Sequence, residues 1–180
     1  MIVVKHRQNS PEKLLKKFPG AAIFDLTSRG PDPWVRLSPF YPHGGIPVPF
    51  SPGVTSQSVE GVWQGLKVFA SEDVDPARFQ ITTMKGLKRT VRKYGAVRGH
   101  RKGVSGQTLL RYGEAREQIY LPTYRWMLDH KAADLLVALR QAARQQTVIL
   151  LDYETNVDVG DLSRPLSHAG LVAAAVEGRW

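Results

Sequence analysis

The hydrophobic and polar positions of the chain predict a mixture of helices and a few strands. Apolar residues at helical spacing, bounded by capping residues, predict helices, and short apolar runs bounded by turn residues predict strands. The predicted helices are 11–18, a segment from Ser56 or Ser58 to 69, 83–95, 114–129, 132–146, and a short one that ends near Gly178. The predicted strands are 2–5, 21–28 and 147–153. This mixture is typical of the α+β class.

Three of these elements carry further detail. The run TVILLDY (147–153) is apolar almost throughout, which indicates burial on both faces of its sheet. Pro122 lies inside the pattern of 114–129 and is expected to kink or interrupt that helix, because proline lacks a backbone N–H. Ser163 or Ser167 is expected to cap the last helix.

Two long segments lack this periodicity. The first, 29–57, is rich in proline and glycine and carries four aromatic residues that must pack or stack: Trp34, Phe40, Tyr41 and Phe50. The second, 96–113, carries four glycines and is expected to be a mobile basic loop. Long segments without secondary structure in a compact domain are usually functional.

The length of 180 residues is close to that of one domain, and no repeat or low-complexity linker divides the chain. We therefore expect a single compact domain over 1–180, mostly helical with a small central sheet. Apolar residues make up 42% of the chain, which supplies a hydrophobic core and excludes a disordered tail.

The residue types that are missing exclude several classes of site. The chain has no cysteine, so disulfides and cysteine-ligated zinc are impossible, and a reducing cytoplasm fits. Its first ten residues lack the apolar core of a signal peptide, and no apolar run approaches the roughly 18 residues of a membrane helix. The five histidines show no metal-ligand spacing, and 99–108 lacks the ending of a phosphate-binding loop. We expect a cytoplasmic protein with no membrane contact, metal or cofactor.

The net charge of +9 is unevenly distributed along the chain. The stretch 76–113 contains ten lysine and arginine residues and no aspartate or glutamate. Such a band attracts polyanions and is a candidate nucleic-acid contact. The candidate contact residues are Lys88, Arg92, Lys93, Arg98, Arg101 and Lys102.

The segment SVEGVWQGLKVF (58–69) is the most informative stretch. At 100° per residue its apolar residues fall on one side of a helix, and its polar residues fall on the other: Glu60, Gln64 and Lys67, with Trp63 among them. Glu60 and Lys67 would lie about 10 Å apart along the axis, with Gln64 between them. The pattern alone favours an ordinary surface helix, but a tryptophan in the polar face needs cover or a stacking partner.

This spacing resembles the NADAR/YbiA-like family. The resemblance rests on LSPFYP (37–42), on the Glu-x-x-aromatic-Gln-x-x-Lys spacing in 58–69, on MKGLKR (84–89), and on the order of elements in 116–153. The sequence departs from the family pattern at Pro39, Gly61 and Lys88, and the family's closing Glu…Asp-x-x-Trp-Gly segment is not recognisable in 150–169. We identify the chain as a divergent relative of that family, and the resemblance implies the family's fold.

The resemblance also implies cleavage of an N-glycosidic bond, in riboflavin-pathway intermediates for some members or in ADP-ribosylated guanine for others. An oxocarbenium-like transition state needs a carboxylate to stabilise it or to activate water, and Glu60 is the candidate. Lys67 either attacks the anomeric carbon as a neutral amine or holds a phosphate as a cation. Asp152, at the end of a predicted strand, is either a second catalytic carboxylate or a cap.

The remaining candidates would bind the substrate. Aromatic stacking on a base is expected of Phe40, Tyr41 and Trp63. Gln64 would hydrogen-bond a sugar hydroxyl or a base edge. Lys85, Lys88, Arg89 and Arg92 share one face of the predicted helix 83–95, which is either a solvated face or a site for a pyrophosphate. Asn156 and Asp158 are weaker candidates.

Two other classes of function remain open at this point. The chain could be a non-catalytic nucleic-acid-binding protein on the same scaffold. It could also be a binding module for ADP-ribose or a related nucleotide that uses the same pocket without cleavage. The partner is therefore expected to be a ribosylated nucleotide or a nucleic acid.

Overall fold

The structure is a computed structural model that describes every residue, Met1–Trp180, and it confirms the α+β class. The chain divides into two compact units. The first comprises Met1–Ser38 and Ala132–Trp180, and the second comprises Pro39–Lys131. The prediction of a single domain over 1–180 stays a prediction.

Eight strands and seven α-helices, with several shorter helical turns, make up these units. The strands are β1 Ile2–His6, β2 Ala22–Asp25, β3 Ile46–Pro47, β4 Thr55–Ser56, β5 Lys67–Phe69, β6 Val97–Arg101, β7 Leu109–Leu110 and β8 Val148–Asp152. The α-helices are α1 Pro11–Lys17, α2 Val59–Gly65, α3 Val91–Tyr94, α4 Tyr112–Ala115, α5 Leu121–Lys131, α6 Ala133–Gln145 and α7 His168–Val176. Two 3-10 turns, Trp34–Leu37 and Pro76–Gln80, and a π-helical segment, Arg116–Tyr120, complete the list. No helix is long and apolar enough to cross a membrane.

The first unit is built around β8. This strand lies between β1 and β2 and is parallel to both. All five of its residues are buried, which confirms the burial that its apolar run predicted. Because side chains alternate along a strand, Ile149 and Leu151 share one face, where they pack with Leu14 of α1. Helices α6 and α7 also contact β8.

The second unit combines a three-stranded antiparallel sheet, β5-β6-β7, with the pair β3-β4. Helix α2 packs against the turn Pro76–Gln80 and leaves no space for side chains at two positions. A Cβ at Gly65 would lie 2.2 Å from the ring of Phe79, and one at Gly61 would lie 2.9 Å from the carbonyl oxygen of Arg78. A larger residue at either position would therefore push α2 away from this turn.

Three sequence-based predictions fail in this unit. The helix predicted to reach 69 ends at Gly65, and the chain continues as β5, because Lys67 and Phe69 pair with β6. The helix predicted at 83–95 is reduced to Val91–Tyr94. Its first part is irregular, since Gly86 has a left-handed φ of 74°. The expected mobile loop at 96–113 instead contains β6 and β7.

The interruption predicted at Pro122 is confirmed. The chain from Tyr112 to Lys131 is helical throughout, but its middle, Arg116–Tyr120, is a π-helical segment that ends just before the proline. A residue without a backbone N–H cannot complete the regular ladder at that point. Segments of this kind are frequent at functional sites.

Candidate functional site

The start of α2 fixes the position of Glu60. Ser58 is the N-cap, and its hydroxyl oxygen accepts a 3.0 Å hydrogen bond from the backbone N–H of Gly61. The backbone N–H of Glu60 itself donates to the Pro39 carbonyl at 2.8 Å. The LSPFYP segment is therefore tied to α2 by its main chain, and Glu60 is held there with a side chain that is buried.

A short hydrogen-bond chain orients the Glu60 carboxylate. The amide nitrogen of Gln64 donates to Oε1 of Glu60 at 2.8 Å. The amide oxygen of Gln64 accepts from the backbone N–H of Arg89 at 3.0 Å. Because both ends of the amide are used, Gln64 has one orientation, and its bond is the one hydrogen bond that the structure gives to the carboxylate.

Burial shifts the titration of Glu60 and Lys67 in opposite directions. Burial raises the pKa of Glu60, and the Gln64 hydrogen bond and the positive charges of Lys67 and Lys88 oppose that shift. Burial lowers the pKa of Lys67, with further lowering from Arg89 and Lys88 and opposition from Glu60. Each group is thus moved toward its neutral form, and titratable groups shifted in this way mark candidate acids, bases and nucleophiles.

A cavity of about 400 Å³ lies beside Lys67, and Glu60 is not among its lining residues. It is lined by Trp63, Lys67, Val97, Arg98, Gly99, His100, Arg111 and Tyr112. Three of these residues are cations and none is acidic, so the cavity favours an anionic ligand. Two more are large aromatic residues, which can contact the flat face of a base.

Trp63 has the cover that its position in a polar face required. Its ring lies 3.7 Å from that of His100, centroid to centroid, at an interplanar angle of 31°. Tyr120, in the π-helical segment, and Tyr112 meet it edge-on at 5.6 and 6.1 Å. The Nζ of Lys67 lies 5.8 Å from the indole. Trp63 therefore lies at the centre of a cluster of aromatic rings.

Arg89 supports the site from inside the protein. Its guanidinium donates to the main-chain carbonyls of Gln64 at 3.3 Å, Lys67 at 2.6 Å and Asp73 at 2.8 Å. The side chain is buried, and the guanidinium lies over the Phe69 ring at 4.9 Å. These contacts hold the end of α2 and the start of β5, which places Lys67. These contacts fit a positioning role for Arg89, and its predicted substrate contact stays a prediction.

The other predicted substrate-binding residues are less closely gathered. Phe40 is half-buried, and the Nζ of Lys88 lies 5.5 Å from its ring. Tyr41 packs on His43 at 4.8 Å. Lys85 is exposed on the irregular segment before α3. Because that segment is not helical, the basic residues of 83–95 do not share the helical face that the sequence predicted.

The predicted nucleic-acid contacts differ in their exposure and in the partners of their charged groups. Lys88, Arg92, Lys93 and Arg98 are exposed, and Arg98 also lines the cavity. Arg101 is held by Asp73 through two hydrogen bonds of 3.0 and 2.8 Å. The Nζ of Lys102 lies 4.8 Å from the Phe50 ring. The exposed part of the basic band is therefore the set Lys88, Arg92, Lys93 and Arg98, since Arg101 and Lys102 are half-buried.

Asp152 belongs to the first unit and to a different kind of cluster. Its Oδ2 accepts from the Ser167 hydroxyl at 2.7 Å and from the backbone N–H of Ala169 at 3.2 Å, and it lies 3.0 Å from Nδ1 of His168. Its Oδ1 accepts from the backbone N–H of Tyr153 at 2.7 Å. Both oxygens are therefore satisfied at the junction of β8 and α7.

This cluster contains serine, histidine and aspartate but not the geometry of a hydrolytic triad. The Ser167 hydroxyl donates to Asp152 and accepts from the backbone N–H of Gly170 at 3.1 Å, so it caps α7, as predicted. The Nε2 of His168 is bonded to the Leu26 carbonyl at 2.9 Å, which leaves it no contact with a nucleophile. The cluster holds elements of the first unit together.

Asn156 and Asp158 shape the loop that follows β8. The side-chain nitrogen of Asn156 donates to the Asp161 carbonyl at 3.1 Å, and its oxygen accepts from the backbone N–H of Asp158 at 3.0 Å. Asp158 in turn accepts from the backbone N–H of Gly160 at 2.8 Å. Nowhere in the chain do three or more histidine, aspartate or glutamate residues form a group that could hold a metal ion.

Sequence reasoning missed five of the residues that line the cavity, and three of them carry functional side chains: His100, Arg111 and Tyr112. All three fall in or beside the segment predicted to be a mobile loop, so no face could be assigned to them. The strand β6 places His100 directly opposite Lys67. An alternating pattern in VRGHR was the one available signal, and it is too short to separate a strand from a loop.

Comparison with known proteins identifies a family whose function is unknown. No curated protein and no solved structure matches the chain. Residues 6–172 match a family of unknown function (DUF6939). Because the match covers most of the 180 residues, the chain belongs to this family.

Proposed function

We propose that the protein is an N-glycosidase, a divergent relative of the NADAR/YbiA-like family, that cleaves the bond between a ribose and a base. The bond most compatible with the site joins ADP-ribose to a base in a nucleic acid or a nucleotide. One observation carries the proposal: the buried and sparsely hydrogen-bonded carboxylate of Glu60 is coupled electrostatically to Lys67, which lines a cationic and aromatic cavity.

The cavity supports a substrate of this class. Its volume of about 400 Å³ lies in the range of small-molecule sites. Arg98 and Arg111 can bind phosphate oxygens in the bidentate way that guanidinium groups favour. Trp63 and Tyr112 offer aromatic surface to a base. The absence of any acidic lining residue removes repulsion from the phosphates.

Glu60 can assist the bond cleavage in two ways. When the C1′–N bond breaks, its electron pair leaves with the base, and positive charge develops on the sugar. The Glu60 carboxylate stabilises that charge through the low-dielectric interior, or it accepts the proton of the attacking water. Its raised pKa suits the second role, because a general base works best when its pKa is near the working pH.

Lys67 has two possible roles, and the lowered pKa supports one of them. As a neutral amine it attacks C1, and the C1–N bond breaks as the base leaves with the electron pair and takes up a proton. Ring opening at C1 then gives an imine, which water hydrolyses to the free sugar and the amine. As an ammonium it would hold a phosphate. Lowering of the lysine pKa by burial increases the neutral fraction at pH 7, which favours the nucleophile.

A second candidate function rests on the exposed part of the basic band. Lys88, Arg92, Lys93 and Arg98 are exposed in one short part of the chain. A non-catalytic nucleic-acid-binding protein would use such a surface, and its affinity for duplex DNA would fall by roughly 0.9 log units per log unit of salt for each neutralised phosphate. A flat salt response excludes this function. An ADP-ribose-binding module would instead give one-site calorimetric binding without release of product.

A glycosidase panel read by mass spectrometry tests the proposal. The substrates are ADP-ribosylated guanine DNA, a free ADP-ribosylated nucleoside, NAD and a ribosylated pyrimidine. We expect the parent to release the sugar from at least one of them, and Glu60→Gln to be slower by about 10²–10⁴-fold, the usual contribution of a general base. Glu117→Gln is the matched control, since Glu117 is an exposed glutamate of the same unit. Equal rates for parent and Glu60→Gln refute the proposal.

A further inference from the structure

His100 is a buried histidine whose ring has no hydrogen-bond partner. It lies in β6 with 1% of its surface exposed. Neither Nδ1 nor Nε2 makes a hydrogen bond, although both atoms are buried. Buried polar groups are almost always paired, because an unpaired one loses its hydration without compensation. An unpaired buried group of this kind indicates a hydrogen-bond partner that the free protein lacks.

The position of His100 in the sheet points its ring to the site. His100 and Lys67 are directly opposed in the β5–β6 pair, so their side chains share one face of the sheet. Opposed residues in an antiparallel pair have Cβ atoms about 4.5–5.5 Å apart. Both residues line the cavity. Whatever group reacts at Lys67 therefore lies within reach of His100.

The protonation state of His100 defines what it can bind. Burial and the charge of Lys67 lower its pKa to about 3, and the shift is only partly opposed by the backbone of Trp63, which lies near the ring without the geometry of a regular hydrogen bond. At neutral pH the imidazole is uncharged, with one N–H donor and one nitrogen acceptor. A hydroxyl group, which both donates and accepts, matches either nitrogen. A phosphate, which only accepts, is better served by the arginines.

We propose that His100 hydrogen-bonds a ribose hydroxyl of the substrate next to the anomeric carbon and makes the site specific for ribosyl over 2-deoxyribosyl groups. This inference rests on the proposed function, which places the anomeric carbon at Lys67. Trp63 covers one face of the imidazole, which leaves the ring edge with its two nitrogens for a hydrogen bond. Because both nitrogens are shielded in the free protein, this bond requires the side chains at the ring edge to shift when the sugar enters. A site built to bond a hydroxyl discriminates strongly against the analogue that lacks it.

The test compares ADP-ribose with its analogue that lacks the hydroxyl at carbon 2 of the terminal ribose. Calorimetry on the parent is expected to give about 10–100-fold tighter binding of ADP-ribose, as expected for loss of a hydrogen bond that leaves a buried imidazole unpaired. In His100→Phe, which keeps an aromatic ring against Trp63, the ratio is expected to fall to about one. In His100→Asn, which keeps a donor and an acceptor, part of the preference is expected to return.

Thermal unfolding of the same variants gives a readout that needs no ligand. Since His100→Phe removes two unpaired polar atoms, its melting temperature is expected to equal or exceed that of the parent. A clear loss of stability would show that the imidazole is already satisfied in the free protein and would overturn the inference. So would a parent that binds the two ligands equally or binds neither, or a His100→Phe variant that keeps the parent's ratio.

These outcomes are separable from failure of the proposed function, because affinity is measured without cleavage. If no substrate is cleaved but ADP-ribose is preferred and the preference is lost in His100→Phe, the glycosidase is refuted and the role of His100 stands. If the parent cleaves a substrate and Glu60→Gln does not, while His100→Phe discriminates like the parent, the glycosidase stands and the role of His100 is refuted.

Discussion

Two buried carboxylates, Asp152 and Glu60, one in each unit, differ in the number of their partners. Asp152 and Glu60 are 2% and 7% exposed, so burial does not distinguish them. Asp152 is contacted by a hydroxyl, two backbone N–H groups and His168, whereas Glu60 accepts one hydrogen bond, from Gln64. The many partners of Asp152 fit a structural role, and the single partner of Glu60 fits the catalytic role that we propose for it.

The pKa values of the two carboxylates follow from this difference. Burial alone would raise the pKa of Asp152, but the charge and hydrogen bond of His168 and the hydrogen bonds of Ser167 and Ala169 outweigh it and lower the pKa. For Glu60 burial is the larger effect, and the pKa is raised. The histidines repeat the contrast, since both ring nitrogens of His168 are bonded and those of His100 are not.

The largest effect on stability is expected from Asp152→Ala. Removal of one partner leaves His168 buried without its counter-ion, and breaking a buried pair in this way costs about 3–5 kcal/mol of unfolding free energy. Urea denaturation measures it. The control is Asp129→Ala, which breaks the exposed pair with Arg125 and is expected to cost about 0.5 kcal/mol or less. A loss below about 1 kcal/mol for Asp152→Ala would mean that the two acids do not differ as described.

The next effect is expected from Gly65→Ala, which displaces α2 beneath Glu60. The added Cβ would lie 2.2 Å from the Phe79 ring, and overpacking of this kind costs about 1–3 kcal/mol. The free energy of unfolding, measured by urea denaturation, and the glycosidase rate are both expected to fall. The double variant with Phe79→Leu should recover part of the stability. Without that recovery, contact between α2 and the Phe79 turn is not the cause.

The Asp152–His168 pair is expected to give a stability maximum in mildly acidic solution. Because the pKa of Asp152 is lowered in the folded protein, its ionisation stabilises the fold at pH values above the ordinary pKa of 3.8. This stabilisation is lost as the pH falls through the folded pKa. Burial alone would lower the pKa of His168, but Asp152 and the Leu26 carbonyl raise it. That contribution is complete below the ordinary value of 6.5 and is lost as the pH rises through the folded pKa. The free energy of unfolding of the parent minus that of Asp152→Asn should therefore be largest between pH 4 and 6.5. A difference that is flat with pH would rule out the ion pair.

The smallest effect on stability, with the opposite sign, is expected from Glu60→Gln. Because the folded pKa is raised, ionisation of Glu60 destabilises the fold as the pH rises through that pKa. The amide removes the charge and can still accept from Gln64, so stability at pH 7 should rise by up to about 1 kcal/mol. The gain should vanish below about pH 4, where the parent is protonated too. A loss of stability at pH 7 would assign Glu60 the structural role.

Local patterns predicted most of the first unit correctly. The apolar run of β8, the Ser10-Pro11 start of α1, the periodicity of α6 and the Ser167 cap of α7 are all short-range features. The second unit was predicted less well because its elements depend on distant partners. Lys67 lies in a strand only because β6, about thirty residues later, pairs with it. The segment before α3 is irregular, and Arg89 within it donates to the main-chain carbonyls of residues 64, 67 and 73.

The same limit applies to the site. The spacing of Glu60, Gln64 and Lys67 brought these residues forward, and the structure does place them together. Burial and missing partners cannot be read from a sequence, so nothing separated Glu60 from Asp152 or identified His100 before the contacts were known. For the same reason, the sequence cannot distinguish an arginine that donates to main-chain carbonyls, as Arg89 does, from one that binds phosphate.

The most direct test of the contrast measures turnover and unfolding free energy together in Glu60→Gln and Asp152→Asn. The substrate is the ribosylated base that the parent cleaves fastest in the panel. We expect Glu60→Gln to be at least as stable as the parent and inactive, and Asp152→Asn to be less stable but as active per folded molecule. A Glu60→Gln protein that unfolds more easily and keeps its turnover, or a parent that cleaves no substrate, would contradict the account.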